Sequence, residues 1–230
     1  MNILVIVAHP DDPEFFCGGS IARWVQEGHH VAYVIVTSGD KGSDDPQMTP
    51  WRLVETRREE QRRAGAVLGV RDITFLAYPD GGLFNTHDLQ RDIVREIRRA
   101  RPDRVVTLDP LTLHWGSRGI NHRDHRTIGN AVNDAIFPGS SSRFYFTELL
   151  TDGYLPHPPR EVYYAGASLP NLWIDVTSAI DLKAQAICQH VSQVKEPDPA
   201  KVADRLRASL FRLLADGQVQ YWEAFRQVSL

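Results

Sequence analysis

Cysteine is scarce in this 230-residue sequence: there are two, Cys17 and Cys188, with no Cys-x-x-Cys spacing. That leaves no basis for a disulfide framework or a cysteine-built zinc site. Long hydrophobic runs are also missing. Residues 3–8 are apolar, far short of the ~20 residues that span a bilayer, and lack the basic start and cleavage site of a secretory signal. The expected setting is the cytoplasm, with no membrane span. Nor does one sign of charge dominate, since 26 basic and 29 acidic residues give a net charge of -3. The arginines of 52–63 and 91–101 alternate with acids, as on solvated helix faces, so no nucleic-acid partner is expected. What is present is 42% apolar and 24% charged, without repeats or low-complexity tracts. That composition suits a single domain, 1–230, with a substantial core.

Strand-like and helix-like segments alternate over the first 140 residues. Ile3–Ala8 reads as a strand buried on both faces of a parallel sheet, and Cys17–Glu27 as a helix closed by Gly28. Then come strand Val31–Thr37, helix Trp51–Leu68, strand Ile73–Tyr78, helix Asp88–Ala100, strand Arg104–Leu108 and a helix from about His122 to Phe137. Strands separated by whole helices need crossover connections. The fold class is therefore α/β and Rossmann-like, a mostly parallel sheet with helices on both faces. The stretch 138–171 reads as loop with a strand at Glu161–Ala165, and Leu172–Val176 as a further strand. Ser178–Gln193 and Pro199–Phe225 read as helices.

Polar clusters follow each of the first four strands: His9-Pro-Asp-Asp12, Ser38-Gly-Asp-Lys-Gly42, Pro79-Asp-Gly-Gly82, and Asp109-Pro110 leading to Asn121-His-Arg-Asp-His125. In an open parallel sheet ligands bind outside the carboxyl ends of the strands, so the clusters converge on one site. His9 and Asp12, on a turn stiffened by Pro10, can face one metal ion, with His125 a natural third ligand. His125 and His122 share the inward stripe of their helix. Three protein ligands leave a coordination position open, the layout of a catalytic zinc site. On the helix Trp51–Leu68, Arg57 and Glu60 occupy the apolar stripe. Arg57 reads as a substrate-binding residue at the pocket and Glu60 as half of a buried pair.

These residues resemble the PIG-L/LmbE-like family of metal-dependent N-deacetylases, nearly end to end. Ala8-His-Pro-Asp-Asp-Pro-Glu14 is similar to the family's AHPDDxE signature and His122-Arg-Asp-His125 to its HPDH. Between and beyond lie Thr37-Ser-Gly-Asp-Lys-Gly42, Arg57 to Gly69, Pro79-Asp-Gly81, Trp173-Ile-Asp175, Lys183 and His190-Val-Ser-Gln193. The resemblance implies removal of the acetyl group from an N-acetylglucosamine conjugate. It implies zinc, or iron(II) in the cell, held by His9, Asp12 and His125, with Asp11 as general base and His122, protonated, as stabiliser of the oxyanion. Asp124 is then a partner for the His122 ring, and Arg57 and Asp80 contact the sugar. A small-molecule amino-sugar partner and a homo-oligomer are also implied. Arg123 departs from the family's usual Pro, and Glu14 stands one position later than in the commonest pattern.

Other residues carry weaker signals. Glu14 suits the start of the first helix, where its charge complements the dipole; His190 reads as a packed histidine; His114 and Trp115 lie where they could line the pocket. Three other readings stand beside the deacetylase. An iron oxygenase could use the same ligands, but nothing in the pattern is all-β. A dinucleotide- or sugar-binding module lacks a Gly-x-Gly-x-x-Gly turn after the first strand. An amidase for a larger, thiol-conjugated pseudodisaccharide would need the same site residues.

Overall fold

Strand β1 (Asn2–Val7) is buried from its second residue onward, as an uninterrupted apolar run requires. In the computed structural model, which describes residues 1–117 and 119–230, β1 pairs in parallel with β2 (His30–Thr37) on one side and with β4 (Arg104–Leu108) on the other. Strand β3 (Asp72–Tyr78) continues the parallel sheet beyond β2, and β5 (Glu161–Ala165) beyond β4. The order β3-β2-β1-β4-β5 reverses its direction of winding at β1. A crevice therefore opens between the loops leaving β1 and β4, and the fold is the α/β, Rossmann-like one expected.

The connecting helices flank the sheet. They are α1 (Asp12–Gln26), α2 (Pro50–Leu68), α3 (His87–Ala100) and α4 (Arg123–Asp134), with a short α5 (Glu148–Thr151) and α6 (Ile180–Ile187) following. α1, α2 and α6 pack on one another, and α3 packs on α4. The ends of α2 show why it stands where it does. The Thr49 hydroxyl accepts the amide of Arg52, Pro50 fills the first turn, and Gly69, at φ 85°, terminates the helix in the left-handed region. No helix among the described residues is long and apolar enough to cross a membrane.

Three helix boundaries differ from expectation. α1 begins at Asp12 rather than Cys17, because a short first segment joins the rest through a kink at Cys17. The helix expected to run to Phe137 is regular only to Asp134 and then widens into a π turn. The helix expected over Ser178–Gln193 shrinks to α6. The Pro/Gly/Ser-rich stretch after 138 is tied down from beneath. The buried Arg98 guanidinium donates to the carbonyls of Gly139, Ser142 and Tyr145 at 2.9, 2.8 and 2.9 Å.

The largest correction is at the C-terminal end. Pro199–Phe225 is not one helix: α7 (Pro199–Leu210) stops, β7 (Phe211–Leu213) turns through Asp216-Gly217, and β8 (Val219–Ser229) enters the sheet. Gly217, at φ 82°, supplies the turn. Asp-Gly followed by residues that bury at alternate positions, Glu223 and Phe225, is a hairpin-and-strand signal. β8 lies antiparallel between β5 and β6 (Leu172–Asp175). Its buried Glu223 accepts the amides of Gly19 and Ser20 at 3.0 and 2.7 Å and the ammonium of Lys183 at 2.6 Å, tying strand, α1 and α6 together.

Removing one half of that buried pair leaves an uncompensated charge, so Glu223→Ala should lower unfolding free energy by about 3–5 kcal/mol. The double change Glu223→Leu with Lys183→Met should cost less than Glu223→Ala, as read by urea denaturation. Equal losses in the two proteins would contradict this account.

Candidate metal centre and active site

The site grows out of the turn that ends β1. Asp12 folds back so that its Oδ2 accepts the His9 amide at 2.8 Å, which turns both side chains toward the crevice. The α4 entrance faces them. His125 Nε2 lies 3.2 Å from His9 Nδ1 and 3.2 Å from Asp12 Oδ1, and His9 Nδ1 lies 3.5 Å from Asp12 Oδ2. Two donors each ~2.0–2.1 Å from a tetrahedral ion stand about 3.3 Å apart. The three residues thus sit at the spacing of ligands to one cation. The other His125 ring nitrogen, Nδ1, faces Asn121 Oδ1 at 3.0 Å, and the buried Asn121 is itself fixed by the Thr112 carbonyl at 2.7 Å. With Nδ1 donating to that oxygen, Nε2 is left with its lone pair on the crevice.

Behind His9 lie two more carboxylates. Its Nε2 is 3.2 Å from Asp80 Oδ1 and 3.5 Å from Asp124 Oδ2, and is buried without an aligned hydrogen bond. Burial pulls the His9 pKa down, but the carboxylates of Asp12, Asp124 and Asp80 outweigh it and push it up to about 12. Burial likewise raises Asp80 and Asp12. His9 overrides it at Asp80, which falls to about 2, and His125 with His9 hold Asp12 well below the usual carboxylate range. Such a cluster wants a cation. A proton on His9 neutralises part of this charge; a divalent ion would neutralise more, and the donor set of two imidazoles and a carboxylate suits zinc or iron(II) equally. His9, His122 and His125 also bring ring nitrogens within 4.8 Å of one another, as do His9, Asp80, His122 and Asp124 with their donor atoms.

Asp11 sits beside this centre in a left-handed conformation, φ 110° and ψ -29°. Its Oδ2 is 3.1 Å from Arg57 Nη2. Burial and Asp12 raise its pKa against the pull of Arg57, leaving it at about 6. The Arg57 guanidinium is itself buried and also donates to the carbonyls of Pro10, at 2.6 Å, and Gly39, at 3.0 Å. A side chain at Gly39 or Gly42 would collide with it: their Cβ positions come within 2.7 and 2.6 Å of its Nη1. Arg57, Asp80 and Asp11, with His9, Asp12 and His125, border a cavity of about 390 Å³, with Lys41 and His122 on its wall.

His122 is set against one expectation. Burial, with His9 and His125 close by, lowers its pKa, away from a protonated ring. Its Nδ1 accepts the Asp124 amide at 3.2 Å, capping α4, which leaves the proton on Nε2. Asp124 is not the partner of that ring either. Its carboxylate accepts the amides of Gly81 and Leu83 at 2.7 and 3.3 Å and faces His9. Arg123, in the place of a Pro, stacks its guanidinium 4.4 Å from the Phe84 ring centre and donates to the Leu83 carbonyl. Trp115 packs against Phe16, which in turn packs edge-on against His125, and His114 pairs with Ile120 across a short bridge. His190 is fully buried, as a packed histidine should be.

The family model described as PIG-L: GlcNAc-PI de-N-acetylase matches residues 4–136, more than half of the chain and nearly all of these side chains. The chain belongs to the PIG-L family. A diacetylchitobiose deacetylase of Thermococcus kodakarensis is 31% identical over 195 residues, 85% of this chain and 71% of that one. A probable N-acetyl-alpha-D-glucosaminyl L-malate deacetylase 2 of Bacillus anthracis is 26% identical over 84% of this chain and 81% of its own length. The solved N,N'-diacetylchitobiose deacetylase from Pyrococcus horikoshii, complexed with its inhibitor MPG, superposes with a TM-score of 0.87 at 29% identity, covering 99% of this chain and 84% of that one.

Two residues that hold this PIG-L site together have no role that the sequence singles out. Asn121 opens the polar cluster Asn121–His125, and Gln61 lies within the stretch Arg57 to Gly69. Gln61 is fully buried and its Oε1 accepts the Asp11 amide at 2.8 Å. Because Asn121 orients the His125 ring, Asn121→Ala should weaken divalent-metal affinity about 10–100-fold without unfolding the protein. Competition with a fluorescent chelator measures it, and unchanged affinity would show that the ring needs no such anchor.

Proposed function

We propose that the chain is a metal-dependent N-deacetylase that hydrolyses the acetyl amide of an N-acetylglucosamine conjugate. The observation carrying this reading is the placement of His9 Nδ1, Asp12 and His125 Nε2 at the mutual spacing of ligands to one cation, with Asp11 on the adjoining residue. Held by those three residues, zinc or iron(II) supplies Lewis acidity that lowers the pKa of water and polarises an acyl oxygen.

The protein's own groups do the rest. Asp11, with its pKa at about 6, takes a proton from the attacking water and returns it to the departing amine. Its carboxylate is steered by Arg57, whose internal bonds favour that holding role over direct contact with the sugar. Asp80 and Asp124 hold the His9 ring in the same way. His122, neutral and with its Nε2 proton free, donates a hydrogen bond to the acyl oxygen as negative charge develops there. Leu111, Leu113 and Ile120, exposed at 68%, 52% and 80%, support a homo-oligomeric contact on that face.

Acetate release from a panel of N-acetylglucosaminides, with and without chelator, tests the activity. Turnover should vanish on chelation and return with the metal, and a panel without turnover would favour the larger-amide reading. Asp11→Asn should keep stoichiometric metal and lose turnover by about 10²–10⁴-fold, whereas His125→Ala should lose both. An Asp11→Asn protein with ordinary turnover removes the base assignment, and a purified chain without affinity for divalent metal returns the molecule to a binding module.

A further inference from the structure

Asp11 holds a backbone conformation that a residue with a Cβ rarely adopts, φ 110°, and such strain persists only where the surroundings over-determine it. Its carbonyl is fixed by α1, accepting the amides of Glu14 and Phe15, both at 3.1 Å. Its side chain is held by Arg57. Its amide is held by Gln61 Oε1, and what decides that this oxygen, rather than the Gln61 nitrogen, faces Asp11 lies on the far side of Gln61. There Nε2 donates to both oxygens of Glu14, each at 3.0 Å. A carboxylate accepts and cannot donate, so the Gln61 amide can stand only one way round. The second boundary of Glu14 is His190 Nε2, 3.0 Å from Glu14 Oε2. Glu14, Gln61 and His190 are all fully buried.

We infer that Glu14 and His190 are positioning residues for Asp11, acting through the fixed orientation of the Gln61 amide. The inference rests on the reading of Asp11 as the general base. The chain of bonds runs His190, Glu14, Gln61, Asp11, so a segment after α6 helps set the base at the end of β1. That segment is tied to the site's own walls. Ser192 donates its amide and hydroxyl to Glu60 of α2 at 2.8 and 2.7 Å, and Gln193 donates to the Gly42 carbonyl at 2.9 Å. Glu60 therefore belongs to the same buckle, pairing with a serine rather than with Arg57.

The donor logic predicts which changes harm and which repair. In Glu14→Gln, with the His190 proton kept on Nε2, the new amide offers its oxygen to His190 and its nitrogen to Gln61. Gln61 then turns over and presents a donor to the Asp11 amide, which is also a donor. Combining Glu14→Gln with Gln61→Glu restores every pairing: the carboxylate at 61 accepts from both Asp11 and residue 14, and the amide oxygen at 14 accepts from His190.

The test is steady-state acetate release on the metal-loaded full chain, with bound zinc counted. Glu14→Gln should lower kcat at least tenfold while KM and zinc content stay within about twofold of the parent, and the double swap should recover kcat to within about threefold. Gln61→Leu, which removes both bonds without adding a donor, should show the same kcat loss and serves if Glu14→Gln does not fold. Undiminished kcat in Glu14→Gln or Gln61→Leu overturns the inference. So does a swap no better than Glu14→Gln, or a loss of zinc in step with activity, since each describes a merely structural network. Asp11→Asn assayed alongside separates the two readings. If it is active, the base assignment falls; if it is inactive while Glu14→Gln is fully active, only the positioning role does.

Discussion

Four carboxylates, those of Asp11, Asp12, Asp80 and Asp124, converge on the end of a strand that is aliphatic from Ile3 to Val7. Bringing them there without compensation would cost several kcal/mol each, so the crevice depends on positive charge at its centre. His9 stands at that centre. One edge of its ring faces Asp12 and His125, and the other faces Asp80 and Asp124. Arg57 balances Asp11 from the side, and the backbone amides of Gly81 and Leu83 take up part of the charge on Asp124. The sheet order makes this convergence possible, because the loops leaving β1, β2, β3 and β4 meet where the winding reverses.

How much of this could be read from the chain depended on whether a residue's partner lay nearby in sequence. His9 and Asp12 share one turn, and His122 and His125 share one helix end. Their convergence followed from the strand–helix alternation and from the inward stripe of the helix that carries the two histidines. The same alternation gave four of the five parallel strands, while β5 was legible only as a short strand in a loop-like stretch. Arg57 and Glu60 stood out because charge on an apolar stripe demands an explanation. The explanations differ: Arg57 grips the Pro10 carbonyl and Asp11, while Glu60 receives Ser192 from a segment more than 130 positions later. Gln61 and Asn121 lay inside stretches that did stand out, yet gave no sign of a role, for the opposite reason. A polar side chain whose single task is to orient a neighbour has no pattern of its own.

The misreading of 211–225 has a different origin. Arg212, Leu213, Leu214 and Ala215, with Gln218, Gln220, Glu223 and Ala224, favour helix when taken by propensity. Tertiary pairing overrides that preference, because β5 and β6 both need a neighbour and the Asp216-Gly217 turn reverses the chain to supply one. The helix expected from Cys17 was short at its beginning for a related reason. Residues 12–16 owe their helical turn to the positive φ at Asp11 and to Pro13, features set by the site rather than by periodicity.

The place of β8 bears on how the molecule is assembled. It fills an interior lane of the sheet, yet it lies later in the polypeptide than either neighbour. β6 makes its ladder with β8 and has no seat until that strand arrives. While the ribosome is still adding residues 219–229, β5 presents an open flank, α1 lacks the acceptor for two of its amides, and Lys183 is without its counter-charge. The sheet is therefore completed by a late, non-local pairing, and until residues 219–229 join it the edges of β5 and β6 are open to other strands.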